Sequence, residues 1–169
     1  MSVLNRVLGR LLRGTVDELV AEALAERDEN GAPPSYHYRV HGNPSCLDIH
    51  PTAILNDALF NVGGESRITI KEYAFFGHQV AVLAGVHDVN KFGRERQTTL
   101  VRSGRDVVIE EGAWLASHVR VLGPCVIGAH SVVAGGSLVM NDVEPFTIVA
   151  GRPAKMVRRI EGRPASAQR

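Results

Sequence analysis

Histidine is the side chain that most readily takes a proton near neutral pH, and seven stand in this chain of 169 residues. Four of them, His78, His87, His118 and His130, fall in its central stretch. A histidine there serves as a general base, as a metal ligand, or as a satisfied polar group at a strand end. A zinc centre needs a fixed ligand set about 2 Å from the ion. The four spacings do not bring three imidazoles to one face, and Cys46 and Cys125 form no CxxC or other metal-spaced set. No metal is expected, and His118 and His130 read as exposed corner residues. His87 differs, because the chain's internal repeat breaks directly after it.

That repeat has a period of six. From Ile109 the chain reads IEEGAW, LASHVR, VLGPCV, IGAHSV, VAGGSL, VMNDVE. The lead residues Ile109, Leu115, Val121, Ile127, Val133 and Val139 are all aliphatic, and the fifth residues are all small or β-branched. An earlier set, led by Ile70, Phe76 and Val82, keeps the rule, and a looser pair, IHPTAI and LNDALF, starts at Ile49. An α-helix repeats near 3.6 and a simple strand near 2, so neither explains six. A short strand followed by a bend does, and three such units close a triangular coil of about 18 residues whose apolar edge is buried only by stacking on its neighbours. A β-sandwich is disfavoured because hairpin signals are scarce. The expected fold is an all-β parallel helix of coils over 46–169, preceded by a helical arm and linker over 1–45 and followed by a short C-terminal tail helix.

The phase fails once. After 70, 76 and 82 the next lead should be 88, but that residue is Asp, and no hexad resumes until 109. A polar, basic excursion, DVNKFGRERQTTLVRSGRD over 88–106, makes up the loop inserted at 88–107. Long loops on a rigid scaffold are usually functional or disordered. His87 is thus held on a rigid corner beside a loop able to fold over it. Asp88 is adjacent, but neighbours on an extended chain point apart. Asp57 or Asn61, one coil earlier, are better placed to orient His87. Read blandly, both are coil-corner residues.

The strings GHQVAVLAGVHD, VVIEEGAWLASHVRVLGPCVIG and VVAGGSLVMNDVEPFTIVAGRPAKMVRRI resemble the left-handed β-helix, hexapeptide-repeat acyltransferases, and among these the sugar and xenobiotic O-acetyltransferases. The resemblance runs from Ile49 to Ile160. It implies the left hand, a homotrimer with active sites between subunits, and direct acetyl transfer from acetyl-CoA to a hydroxyl. The matching histidine, here His87, is the general base. It further implies acceptor-binding roles for Asp57 and Asn61, with Trp114 near the reactive end of CoA. Ser117 and Gly135 line the pantetheine slot, and Lys155 and Arg158 meet the phosphates. Met140 and Asn141 depart from the Thr-Lys often found at the end of the last coil, removing one expected cation. A histidine pKa suits proton removal from a sugar hydroxyl, and backbone N–H groups or the Ser117 hydroxyl supply donors for the anionic transition state.

Two rivals stand beside this reading. One is a trimeric β-helix zinc hydratase of the carbonic anhydrase kind, and the other is a non-catalytic β-helix scaffold. Composition excludes little: 44% hydrophobic and 22% charged residues suit a soluble globular chain, and a net charge of +1 gives no pull toward nucleic acid. No disulfide is required, no apolar run is long enough to span a bilayer, and Arg6, Arg10 and Arg13 interrupt the N-terminal apolar stretch, so a cytoplasmic location is expected. The spacing predicts one amphipathic helix over 3–13 and a second from the capping box Thr15–Glu18 to about Arg27. Packing on a protein surface is preferred over peripheral membrane contact for that arm. A thin repeated core makes a monomer marginal and favours oligomerisation. The acceptor fits polysaccharide or lipopolysaccharide precursor synthesis.

Overall fold

The computed structural model describes residues 37–161. The predicted N-terminal helices and residues 162–169 lie outside this span. Three sheets, parallel but for the last strand of one, form the faces of a triangular prism. Face A stacks β1 (Arg39–Gly42), β3 (Leu59–Val62), β6 (Ala81–Leu83), β9 (Arg120–Leu122) and β12 (Leu138–Val139). Face B stacks β2 (Leu47–Ile49), β4 (Ile68–Ile70), β7 (Val107–Ile109) and β10 (Cys125–Ile127). Face C stacks β5 (Phe75–Phe76), β8 (Trp114–Leu115), β11 (Val132–Val133), β13 (Thr147–Gly151) and β14 (Ala154–Arg159). The chain visits B, C and A in turn. β1 lies within the span read as linker and already pairs with β3.

The hexad leads form the core. Ile109, Leu115, Val121, Ile127 and Val133 are all 0% exposed, and the fifth residues Ala113, Val119 and Ser131 are equally buried. Burying each Val, Ile or Leu contributes about 1.5–3 kcal/mol, and the stack is the only place the coil can do so. The fourth residue of a hexad turns the corner with positive φ: Tyr73, Gln79, His118 and His130 do so, and Gly112 and Gly136 occupy equivalent positions. Each such L residue costs roughly 1 kcal/mol.

The first coil slips from the hexad phase. LNDALF would place Leu59 inward, but Ala58 is 0% exposed there and Leu59 is half-buried. Asn56 takes φ of 47° one residue after Leu55, so this corner is one residue short.

The insertion is ordered. His87 bridges Leu100 in antiparallel fashion, the Asp88 N–H donates to Thr99 O at 3.0 Å, and the Val101 N–H to Val86 O at 2.9 Å. Between these legs runs a short helix, α1 (Gly93–Thr98). The Arg96 guanidinium lies over the Phe92 ring and donates to Lys91 O and Val89 O. β7 then pairs directly with β4, Ile70 opposite Ile109, so the excursion sits wholly outside the stack.

The expected tail helix is instead a strand. Gly151 has φ of 103° and Pro153 follows it, a combination that turns the chain sharply. β14 then runs antiparallel to β13 and covers an edge that would otherwise present unpaired N–H and C=O groups. Among the described residues no helix is long and apolar enough to cross a membrane.

Candidate active site

His87 stands at the corner between faces A and B. It is exposed, and its ring has no hydrogen-bond or ion-pair partner among the described residues. Glycines let the backbones close beneath it. A Cβ on Gly85 would stand 2.5 Å from Asn61 Oδ1, so Asn61 belongs to this corner. The Asn61 carbonyl also accepts from the N–H groups of Ala84 and Gly85, at 2.9 and 3.0 Å. The returning leg of the insertion crosses the same corner, where Arg102 Nε meets Glu65 Oε1 at 2.8 Å.

Asp57 lies elsewhere. It precedes β3, at the corner between faces C and A, about 13 Å of extended strand from Asn61. Its carboxylate accepts from the Gln79 N–H at 2.8 Å and lies 3.4 Å from His78 Nδ1. The Gln79 N–H holds the Asp57 carboxyl below its ordinary range, and His78 acts in the same direction. Ser117 and Gly135 follow on this edge in successive coils. Ser117 Oγ accepts from the His78 N–H at 3.1 Å, and a Cβ on Gly135 would stand 3.2 Å from Ser117 O. Gly77, Ala116, Ala134 and Gly136 keep the edge slender. Arg152 closes it, donating from Nε to Gly136 O at 2.6 Å.

Trp114 is on face C, opposite the His87 corner, 41% exposed and stacked on Phe75 with centroids 5.5 Å apart. Lys155 and Arg158 are exposed on β14, opposite Ala150 and Ile148. One chain therefore brings His87 to Asn61, and Asp57 to Ser117 and Gly135, but does not join these two groups. His118 shares the C–A edge with His78, its N–H donating to His78 O at 2.8 Å. His130 lies at the B–C corner beside Phe146. Among the described residues no three His, Cys, Asp or Glu side chains form a metal-holding group.

Sequence reasoning passed over Gln79, Arg39 and Arg120. Arg120 was open to it: the residue before each face A lead points outward, so Leu59, Ala81, Arg120 and Leu138 form one row. Arg39 precedes the hexads and carried no such signal.

Parallel coils, inward leads and slender corners define a hexapeptide-repeat β-helix, and residues 106–141 match the family model described as bacterial transferase hexapeptide (six repeats). The fold resembles a hexapeptide-repeat containing acetyltransferase from Vibrio cholerae, solved with acetyl coenzyme A. The TM-score is 0.52 at 25% identity, covering 74% of this chain and 70% of that one. A maltose O-acetyltransferase from Clostridium difficile shares the fold, with TM-score 0.51, 19% identity and coverage of 75% and 68%. In sequence the chain is 38% identical over 115 residues to serine acetyltransferase 2 of Arabidopsis thaliana, covering 68% of this chain and 33% of that protein. It is 29% identical over 146 residues to the galactoside O-acetyltransferase of Lactococcus lactis, covering 85% and 67%. The chain spans about a third of the length of the plant serine acetyltransferases it matches. By repeat and fold the chain is similar to the hexapeptide-repeat acetyltransferases.

Proposed function

We propose that the protein is an acetyl-CoA-dependent O-acetyltransferase acting on a saccharide hydroxyl. It works as a homotrimer in which the A–B corner of one protomer faces the C–A edge of the next. The observation that carries this reading is the division of the site: a base without a partner on one edge, and a slender slot ending in cations on another. Each half is incomplete alone, and a cyclic trimer brings unlike edges together three times over.

The chemistry follows from the residues. His87 removes the proton of the acceptor hydroxyl as its oxygen attacks the thioester carbonyl. The C–O bond forms, the C–S bond breaks, and the imidazolium returns the proton to the departing thiolate. Corner N–H groups and the Ser117 hydroxyl offset the charge that develops on the carbonyl oxygen. Small residues at Ala116, Ser117, Ala134 and Gly135 admit a narrow pantetheine arm, and Lys155 and Arg158 hold the phosphates with charge-assisted hydrogen bonds. Asn61 and Asp57 bind the acceptor, and Trp114 borders the donor. A cytoplasmic setting among precursors of surface polysaccharides suits such a substrate.

A serine hydroxyl is the second reading for the acceptor, carried by the identity to the serine acetyltransferase. The deciding assay follows thiol release from acetyl-CoA with neutral sugars, acidic sugars and L-serine. His87→Ala should lower turnover by about 10²- to 10⁴-fold with the mass of the assembly unchanged. Near-wild-type turnover in that variant on a good acceptor would overturn the mechanism.

A further inference from the structure

Beside the C–A edge, on face A, lies a cavity of about 230 Å³ lined by Arg39, Asp57, Gln79, Ala81, His118 and Arg120. Its floor is Ala81, which points outward yet is only 4% exposed. Arg39, Leu59, Ala81 and Arg120 follow one another across β1, β3, β6 and β9 in register. The two guanidinium groups thus rise on either side of two neutral residues.

Neither arginine has an acidic group within 4 Å or a side-chain hydrogen bond among the described residues. The one carboxylate in the cavity, Asp57, is occupied by the Gln79 N–H and His78. A larger cavity, of about 500 Å³ by Asp48, His50, Lys71, Glu72 and Glu110, contrasts with this. There Lys71 pairs with Glu110 at 2.8 Å and His50 lies 3.5 Å from Glu72, while Asp48 and Glu111 leave the lining acidic. Across the smaller cavity two arginines and one aspartate leave a formal excess of one positive charge. A planar guanidinium fork matches a carboxylate or phosphate in both geometry and charge.

We infer that this cavity is an anion subsite that makes the acceptor an acidic one. Arg39 and Arg120 grip a carboxylate or phosphate carried by the saccharide. This rests on the transferase reading above and names its substrate class. The phosphates of CoA are the other source of such an anion, and the experiment separates the two.

The probes are glucuronate and glucose, which differ only in the acidic group, titrated calorimetrically into the full-length protein with and without saturating CoA. Glucuronate should bind at least about ten-fold more tightly than glucose. Arg39→Gln and Arg120→Gln should each abolish that difference, while Arg152→Gln keeps it. Bound CoA should leave the difference in place. Equal binding of the two sugars, no binding of glucuronate, or discrimination that survives both substitutions overturns the inference. So does loss of CoA affinity in Arg39→Gln with glucuronate displaced by CoA, which assigns the arginines to the donor. Because binding is read without turnover, an absence of acetyl transfer to any acceptor sinks the transferase reading while leaving the subsite standing.

Discussion

Gly63 and Gly85 lie so close that a Cβ on Gly63 would stand 2.7 Å from the Gly85 Cα, with Leu100 Cδ1 at 3.3 Å. Two coils and the returning leg of the insertion therefore meet where only hydrogen atoms fit. His87 is two residues beyond Gly85, so this packing fixes its backbone. Gly63→Ala must push back the Gly85 backbone, at a cost of about 1–3 kcal/mol. Thermal unfolding should show a lowered midpoint, and turnover should fall more than the Michaelis constant for acetyl-CoA rises. Unchanged turnover in a folded Gly63→Ala protein would mean that this contact does not position His87.

The shared-site arrangement predicts complementation. His87→Ala and Gly135→Trp should each be nearly inactive as pure assemblies, one lacking the base and the other a passable slot. Mixed one to one by unfolding and reassembly, random trimers place an intact corner against an intact edge in about a quarter of all sites. Recovery near a quarter of wild-type activity supports the arrangement, and no recovery from demonstrably mixed trimers counts against it.

The cations on β14 give a donor-specific effect. On the proposed donor site, Lys155→Ala and Arg158→Ala should each remove a charge-assisted contact worth about 1.5–3 kcal/mol. The Michaelis constant for acetyl-CoA should rise, and more than that for its dephospho derivative where the 3′-phosphate is the group held. Constants unaltered for both donors would move the phosphates to another part of the protein.

Cys125 sets an alkaline limit. Burial pushes its thiol up to about 12, the Asp142 carboxylate adds to this, and Arg105 opposes it. Above its ordinary value near 9 the unfolded chain releases this proton while the folded chain keeps it. Folding stability should therefore be full below that pH and decline above it, by up to about 1.4 kcal/mol for each pH unit. Urea unfolding between pH 8 and 11 should show a shallower decline for Cys125→Ala. Parallel curves for the two proteins would refute the assignment.

The stack was legible because its rule is local: each lead from Ile109 to Val139 needs only to be aliphatic and six residues from the next. The insertion was legible for the same reason, since it is a failure of that count. The slip at Leu59 was not, because one missing corner residue leaves LNDALF looking like any hexad. Nor was the strand at Ala154–Arg159, where the exposed edge of β13 claimed a segment whose own pattern is indifferent. The site was harder still. His87, Asp57, Ser117 and Trp114 are easily set along one line of resemblance, but a prism distributes them by their distance from the last corner. Asn61 and Asp57, four positions apart, fall at opposite ends of one face.

The chain leaves the prism after β6 and rejoins it at β7, on the rung beside β4. The length of the excursion therefore enters neither the pairing nor the core. The rungs and the span that crosses the His87 corner thus reside in separable stretches of the polypeptide. A loop of other length or composition grafted between Asp88 and Val107 inherits the same rungs and leaves His87 in place. The molecule is in that sense a chassis, on which the cover of one corner can be exchanged as a cassette while β3, β6 and β9 keep their register.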